Sequence, residues 1–182
     1  MLYHGSSTAG LTELKPYKSE HKKPYVYFTE NPVVAAFYTV HHVERPYNWF
    51  PYGYASENLL TYSEYYYNAM ADVYRDKTGY IYLYDNTTES QGIKLPIGDI
   101  IVFEQPVKVS SCIELPDVYE TLLKYESEGQ LYISRFSDDK ESLNWIDNMI
   151  TLEIETNDLK HIKSSYCDFL QKHFPNAWER AK

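Results

Sequence analysis

Short apolar runs broken by Gly, Pro and polar residues fill the first two thirds of the chain, and longer stretches with a 3.6-residue apolar repeat fill the last third. Residues 1–5 are apolar and aromatic up to Gly5-Ser6-Ser7, which predicts a terminal or edge strand entering a turn. Tyr25-Val26-Tyr27-Phe28 predicts a second strand from its β-favouring side chains. Asn31-Pro32 then marks a helix start, with Asn31 as the cap and Pro32 at the first position, where its missing amide costs nothing. That helix should reach about Val40, with Val33, Ala36, Phe37 and Val40 toward one side. From Ser56 onward Leu59, Leu60, Tyr66, Met70, Val73 and Tyr74 recur at helical spacings, predicting a longer helix that ends before Gly79. Further strands are expected at 80–84, 93–95, 100–103 and 107–109, and helices at 118–125, 143–150 and 159–174.

The pattern is that of an α+β protein with a mostly antiparallel sheet core flanked by helices and a helical C-terminal extension. With 182 residues and no Gly/Ser linker, repeat or low-complexity tract, one domain over 1–182 is expected, its sheet core in 1–115 and its helical extension in 116–182. Composition agrees with a packed core, at 43% hydrophobic and 24% charged residues. Tyrosine stands out with 20 residues, a use expected at half-buried positions where the ring packs and the hydroxyl reaches water.

Charge narrows the partners. Seventeen basic against 26 acidic side chains leave a net charge of -9, which opposes a nucleic-acid backbone, and Lys15, Lys18, Lys22 and Lys23 form the one dense basic group. The two cysteines, Cys112 and Cys167, give neither a disulfide framework nor a metal-ligand spacing. His41-His42 beside Glu44, and the separate His21 and His161, lack the i, i+4 spacing of a zinc site. No metal is therefore expected. Neither a glycine-rich phosphate loop nor a Gly-x-Ser-x-Gly elbow occurs. No leader or apolar span is visible, from which a cytoplasmic protein without a membrane partner is expected.

Candidate chemistry gathers near the N-terminus. His4 at the end of a strand offers a ring nitrogen to a sugar hydroxyl, and Gly5 lets a flat carboxamide approach the backbone. Tyr27 and Tyr38 present electron-rich faces suited to a cationic aromatic ring. The bland alternative is that His4 ends a strand, Gly5 turns the chain and the two tyrosines fill a core.

Taken together, Leu2-Tyr3-His4-Gly5-Ser6, then Tyr27-Phe28-Thr29, then Tyr38 eleven residues after Tyr27, resemble the NAD-binding core of the ADP-ribosyltransferase superfamily. The likeness is to its diphtheria-toxin-like branch, which includes the poly(ADP-ribose) polymerases and the small bacterial rifampin ADP-ribosyltransferases. It covers residues 1–40 well and 79–110 loosely. The resemblance implies a split antiparallel sheet and NAD as co-substrate. His4 would hold a ribose, Gly5 and Ser6 the carboxamide, and Tyr27 and Tyr38 the nicotinamide. The expected reaction is transfer of ADP-ribose, with release of nicotinamide, to a protein or small-molecule acceptor selected by loops such as 44–54.

The resemblance also implies an acid on a later strand that stabilises the oxocarbenium-like ribose. Asp99, before Ile100-Ile101-Val102-Phe103, has that position, and Glu104 is its rival, of opposite strand parity. Tyr27 completes the expected catalytic set. Ala35 departs from the pattern, since a serine stands at this place in the polymerases. One hydrogen bond of about 1 kcal/mol is then missing or supplied by the Gly5 backbone or Ser6. Two further readings remain open: a catalytically silent NAD- or ADP-ribose-binding module of the same fold, and an RNA 2'-phosphotransferase-like enzyme, although the latter holds phosphate with basic residues and this chain is acidic.

Overall fold

A computed structural model describes residues 1–18, 23–40, 52–56, 59–85, 92–95 and 99–182. In chain order the elements are β1 (Leu2–Ser6), β2 (Glu13–Leu14), β3 (Tyr17–Lys18), β4 (Pro24–Thr29), α1 (Pro32–Phe37), β5 (Tyr52–Ser56), β6 (Leu59–Ser63) and α2 (Ala69–Tyr74). There follow β7 (Gly79–Tyr84), β8 (Ile93–Lys94), β9 (Ile100–Phe103), β10 (Val107–Lys108), β11 (Ser111–Leu115), α3 (Val118–Ser127), β12 (Leu131–Ser134), α4 (Lys140–Thr156), α5 (Ser165–His173) and α6 (Pro175–Arg180). The protein is thus α+β, with six α-helices among the described residues and sheets that are antiparallel except at one pair. The chain forms two compact units, residues 1–41 with 74–128, and residues 42–73 with 129–182.

The first unit holds an antiparallel sheet in the order β11-β7-β1-β4-β9-β8, with β3 also on β4, and a small β10-β2 pair. One face buries Leu2, Val26, Phe28, Tyr82, Tyr84, Ile101 and Phe103, which alternate along their strands as period-2 side chains must. Three aromatic rings tighten this layer: Phe28, Tyr84 and Phe103 lie 5.4–5.7 Å apart by centroid. Helix α1 lies against β1, β4, β7 and α3. It begins as its sequence requires, with Asn31 Oδ1 accepting from the Val33 amide and Pro32 at the first position.

The second unit corrects the helix expected from Ser56. Residues 59–63 form β6 instead, with Leu60 and Tyr62 buried and Leu59, Thr61 and Ser63 half-buried, a period of two. β6 pairs antiparallel with β5 and parallel with β12. The helical spacing among Tyr66, Met70, Val73 and Tyr74 is real only from Ala69, where α2 starts. A two-residue period followed by a helical one had merged into a single apparent stripe. The C-terminal part likewise contains a strand, β12, beside its helices, and the helix expected over 159–174 is a 3-10 turn at Leu159–His161 followed by α5. Ile146, Ile150 and Ile154 of α4 pack with Leu159, Leu170, Phe174 and Ala177.

Glu64 ties two segments of this unit. Its Oε1 accepts from the Met70 amide at 3.0 Å and its Oε2 from the Phe136 amide at 3.3 Å. Glu64→Ala strips both amides of a charged acceptor and is expected to destabilise the protein by about 2 kcal/mol. Denaturant unfolding checks this, and an unchanged midpoint would mean that water replaces the carboxylate without cost.

Candidate functional site

β1 is a central strand, yet its two edges differ. Toward β7 it has five register pairs, from Leu2↔Tyr84 to Ser6↔Tyr80; toward β4 it has one among the described residues, Tyr3↔Thr29. Past that pair the connection is made by a side chain, as His4 Nδ1 lies 2.7 Å from the carbonyl oxygen of Tyr27. A carbonyl only accepts, so Nδ1 carries the proton, and the neutral ring keeps the Nε2 lone pair for another donor. His4 shares the face of Leu2 by alternation, and its ring lies 5.8 Å from that of Phe28.

Gly5 looks the other way, at the end of α1. A Cβ built on it would stand 2.0 Å from the Ala35 carbonyl oxygen and 3.1 Å from the Tyr38 carbonyl carbon, so only glycine fits this approach. Ala35 is buried, and its carbonyl accepts from the Tyr38 amide. Tyr38 caps the helix and keeps 45% of its surface exposed. Ser6 Oγ accepts from the Thr8 amide at 3.1 Å, which starts the turn after β1. The ring of Tyr27 is half-buried and meets that of Tyr25 edge to face at 6.0 Å.

The two candidate acids flank β9. β4 and β9 pair as Phe28↔Ile101 and Tyr27↔Val102. Asp99 lies in the turn just before β9, outside the paired residues. Glu104, just past the end of β9, is exposed and stands 4.0 Å from Lys23 Nζ. It also lines a cavity of about 560 Å³ whose walls include Tyr84, Ile93, Phe103 and Pro106. Of the proposed acceptor loop 44–54 only residues 52–54 are described, at the start of β5. His21, His41, His42 and Glu44 lie outside the described residues.

Two sequence features gained significance only in three dimensions. The Ala35 carbonyl walls in Gly5, and Tyr82, the register partner of His4, hydrogen-bonds the turn after β1. Alternation could have put Tyr82 on the face of His4, but its bond partners are some 70 residues away in sequence.

Burial pushes the His4 imidazole below its ordinary 6.5, partly opposed by the bond to Tyr27. In the second unit His173 is also pushed down, by burial and then by Lys172, with Asp72 opposing. As pH falls, the unfolded chain takes up these protons before the folded one. Stability is therefore unaffected above the unfolded value of about 6.5 and declines below it. Unfolding midpoints should be lower at about pH 5 than at neutrality, and His173→Gln should shrink the difference. An equal difference in the variant would place the acid sensitivity elsewhere.

Among the described residues no group of three His, Cys, Asp or Glu side chains could hold a metal ion, and no helix is long and apolar enough to cross a membrane. No protein family, curated protein or solved structure matches the chain.

Proposed function

We propose that this protein is an NAD-consuming ADP-ribosyltransferase built on the split antiparallel sheet of that superfamily. The observation that carries the reading is the parting of β1 from β4 after Tyr3↔Thr29. There His4 is joined to Tyr27, and Gly5 is pressed against the Ala35–Tyr38 end of α1. Four residues named for ligand contact are thus linked through the Tyr27 carbonyl and the α1 backbone, although they span positions 4 to 38 of the chain.

In this reading the Nε2 of His4 accepts a ribose hydroxyl proton, and the backbone at Gly5 and the hydroxyl of Ser6 meet the carboxamide. Tyr27 and Tyr38 flank the nicotinamide ring. The bond between ribose C1' and the ring nitrogen breaks with its electron pair going to nitrogen, which neutralises the pyridinium. A carboxylate stabilises the oxocarbenium ribose, and the role is given to Asp99 because Glu104 is exposed and lies against Lys23. The acceptor nucleophile then bonds to C1' and releases its proton to water. Exposure and the Lys23 contact favour a surface role for Glu104.

Nicotinamide release from NAD by the purified chain tests this reading. Release is expected, and Asp99→Asn should lower its rate about 100-fold or more, as loss of a transition-state charge partner does, while Glu104→Gln changes it less than about threefold. Binding of NAD with no release, with or without acceptors, would favour the silent module. No binding at all would return His4, Tyr27 and Tyr38 to structural duty.

A further inference from the structure

The turn that follows the His4-Gly5-Ser6 strand is pinned from an unexpected direction. Tyr82, fully buried on β7, donates its hydroxyl proton to the Thr8 carbonyl at 2.7 Å, and the same oxygen accepts from the Leu11 amide at 3.1 Å. Tyr82 is the register partner of His4, so the two side chains leave the sheet side by side on one face. The turn therefore folds back over the face that carries His4, where Leu11 packs on the same apolar layer as Phe28 and Tyr82.

Every end of this turn is held. Ser6 Oγ takes the Thr8 amide, Thr12 accepts from the Val109 amide at 3.1 Å, and β2 pairs with β10 immediately beyond. Gly10 allows the reversal with φ of +70°, and its missing side chain would meet open space. Thr8 and Gly10 are exposed although their backbone is anchored, which is how a rigid wall differs from a mobile loop. His4 has Phe28 beside it on β4 and Tyr82, which pins the turn, opposite it on β7.

We propose that Tyr82 is a positioning residue, which holds turn 8–11 as a fixed wall beside His4 and so sets the affinity for the sugar–phosphate part of NAD. This rests on the NAD reading above. Tyr82 touches no reacting atom. Its hydroxyl fixes the backbone that the ligand meets, and the energy it saves is the entropy of ordering that turn on binding.

Tyr82→Phe keeps the ring and removes both bonds. Compared with wild type, it is expected to raise KM for NAD roughly five- to tenfold, the size of one or two net hydrogen bonds, with kcat within about twofold. ADP-ribose affinity should fall in parallel and free nicotinamide affinity should not change. Hydrogen exchange at the Leu11 amide should speed up, a readout that needs no ligand. Gly10→Ala strains the same turn without touching the core and should reproduce the pattern. It decides the matter if Tyr82→Phe does not fold. An unchanged KM in both variants, or a parallel loss of kcat and nicotinamide affinity, would overturn the positioning role while leaving the NAD reading intact. Failure of wild type to bind NAD would overturn both, and faster Leu11 exchange would then report the pin as purely structural.

Discussion

His4→Ala is expected to lower kcat/KM for nicotinamide release about 100-fold. Two losses combine. The Nε2 lone pair vanishes from the ligand side, and the Tyr27 carbonyl loses the one bond shown across the gap between β1 and β4 among the described residues. Each loss of a buried hydrogen-bond partner is worth about 1–3 kcal/mol, and their sum reaches the stated factor when part of it falls on the ligand. The protein should remain folded, because the five pairs of β1 with β7 do not involve the imidazole. Unfolding with and without saturating NAD separates the two effects: NAD raises the wild-type midpoint by mass action and should raise that of the variant much less. Wild-type turnover in the variant would make His4 a strand bridge only.

Gly5→Ala is expected to be the most destabilising single-methyl addition in the first unit, at roughly 3 kcal/mol or more. The added Cβ would sit 2.0 Å from the Ala35 carbonyl oxygen, well inside contact distance, and both partners are backbone. A side chain could rotate away, whereas here β1 or α1 must shift, as overpacked cores do at similar cost. Because Tyr38 follows directly on α1, the shift should also displace one wall of the proposed nicotinamide site. Thermal unfolding should show a midpoint several degrees lower, and NAD turnover should fall even at temperatures where the variant is folded. A variant as stable as wild type would mean that α1 is free to move away from β1. By contrast, Gly10→Ala meets nothing and costs only its left-handed backbone conformation, about 1 kcal/mol.

Much of the first unit could be read from local pattern. β1, β4, β7, β9 and the Asn31-capped start of α1 follow from alternation, β-favouring side chains and one Asn-Pro pair, all signals within a few residues. The second unit was harder. Leu59 and Leu60 fit a helix as well as a strand, and β6 is a strand because β5 before it and β12, some 70 residues later, pair with it on its two edges. β12 itself is four residues long between two helices, too short for its own periodicity to speak.

The candidate site divides in the same way. Residue type and order in the sequence by itself determined the groups on which the NAD proposal rests: His4 beside Gly5, and two tyrosines one short helix apart. Tertiary structure alone decided that β1 pairs with β4 at Tyr3↔Thr29, that His4 reaches the Tyr27 carbonyl, and that Tyr82 holds the turn after Ser6. Strand register is a property of two segments at once. A local pattern specifies which face a side chain takes, and only pairing across the chain specifies what stands opposite it.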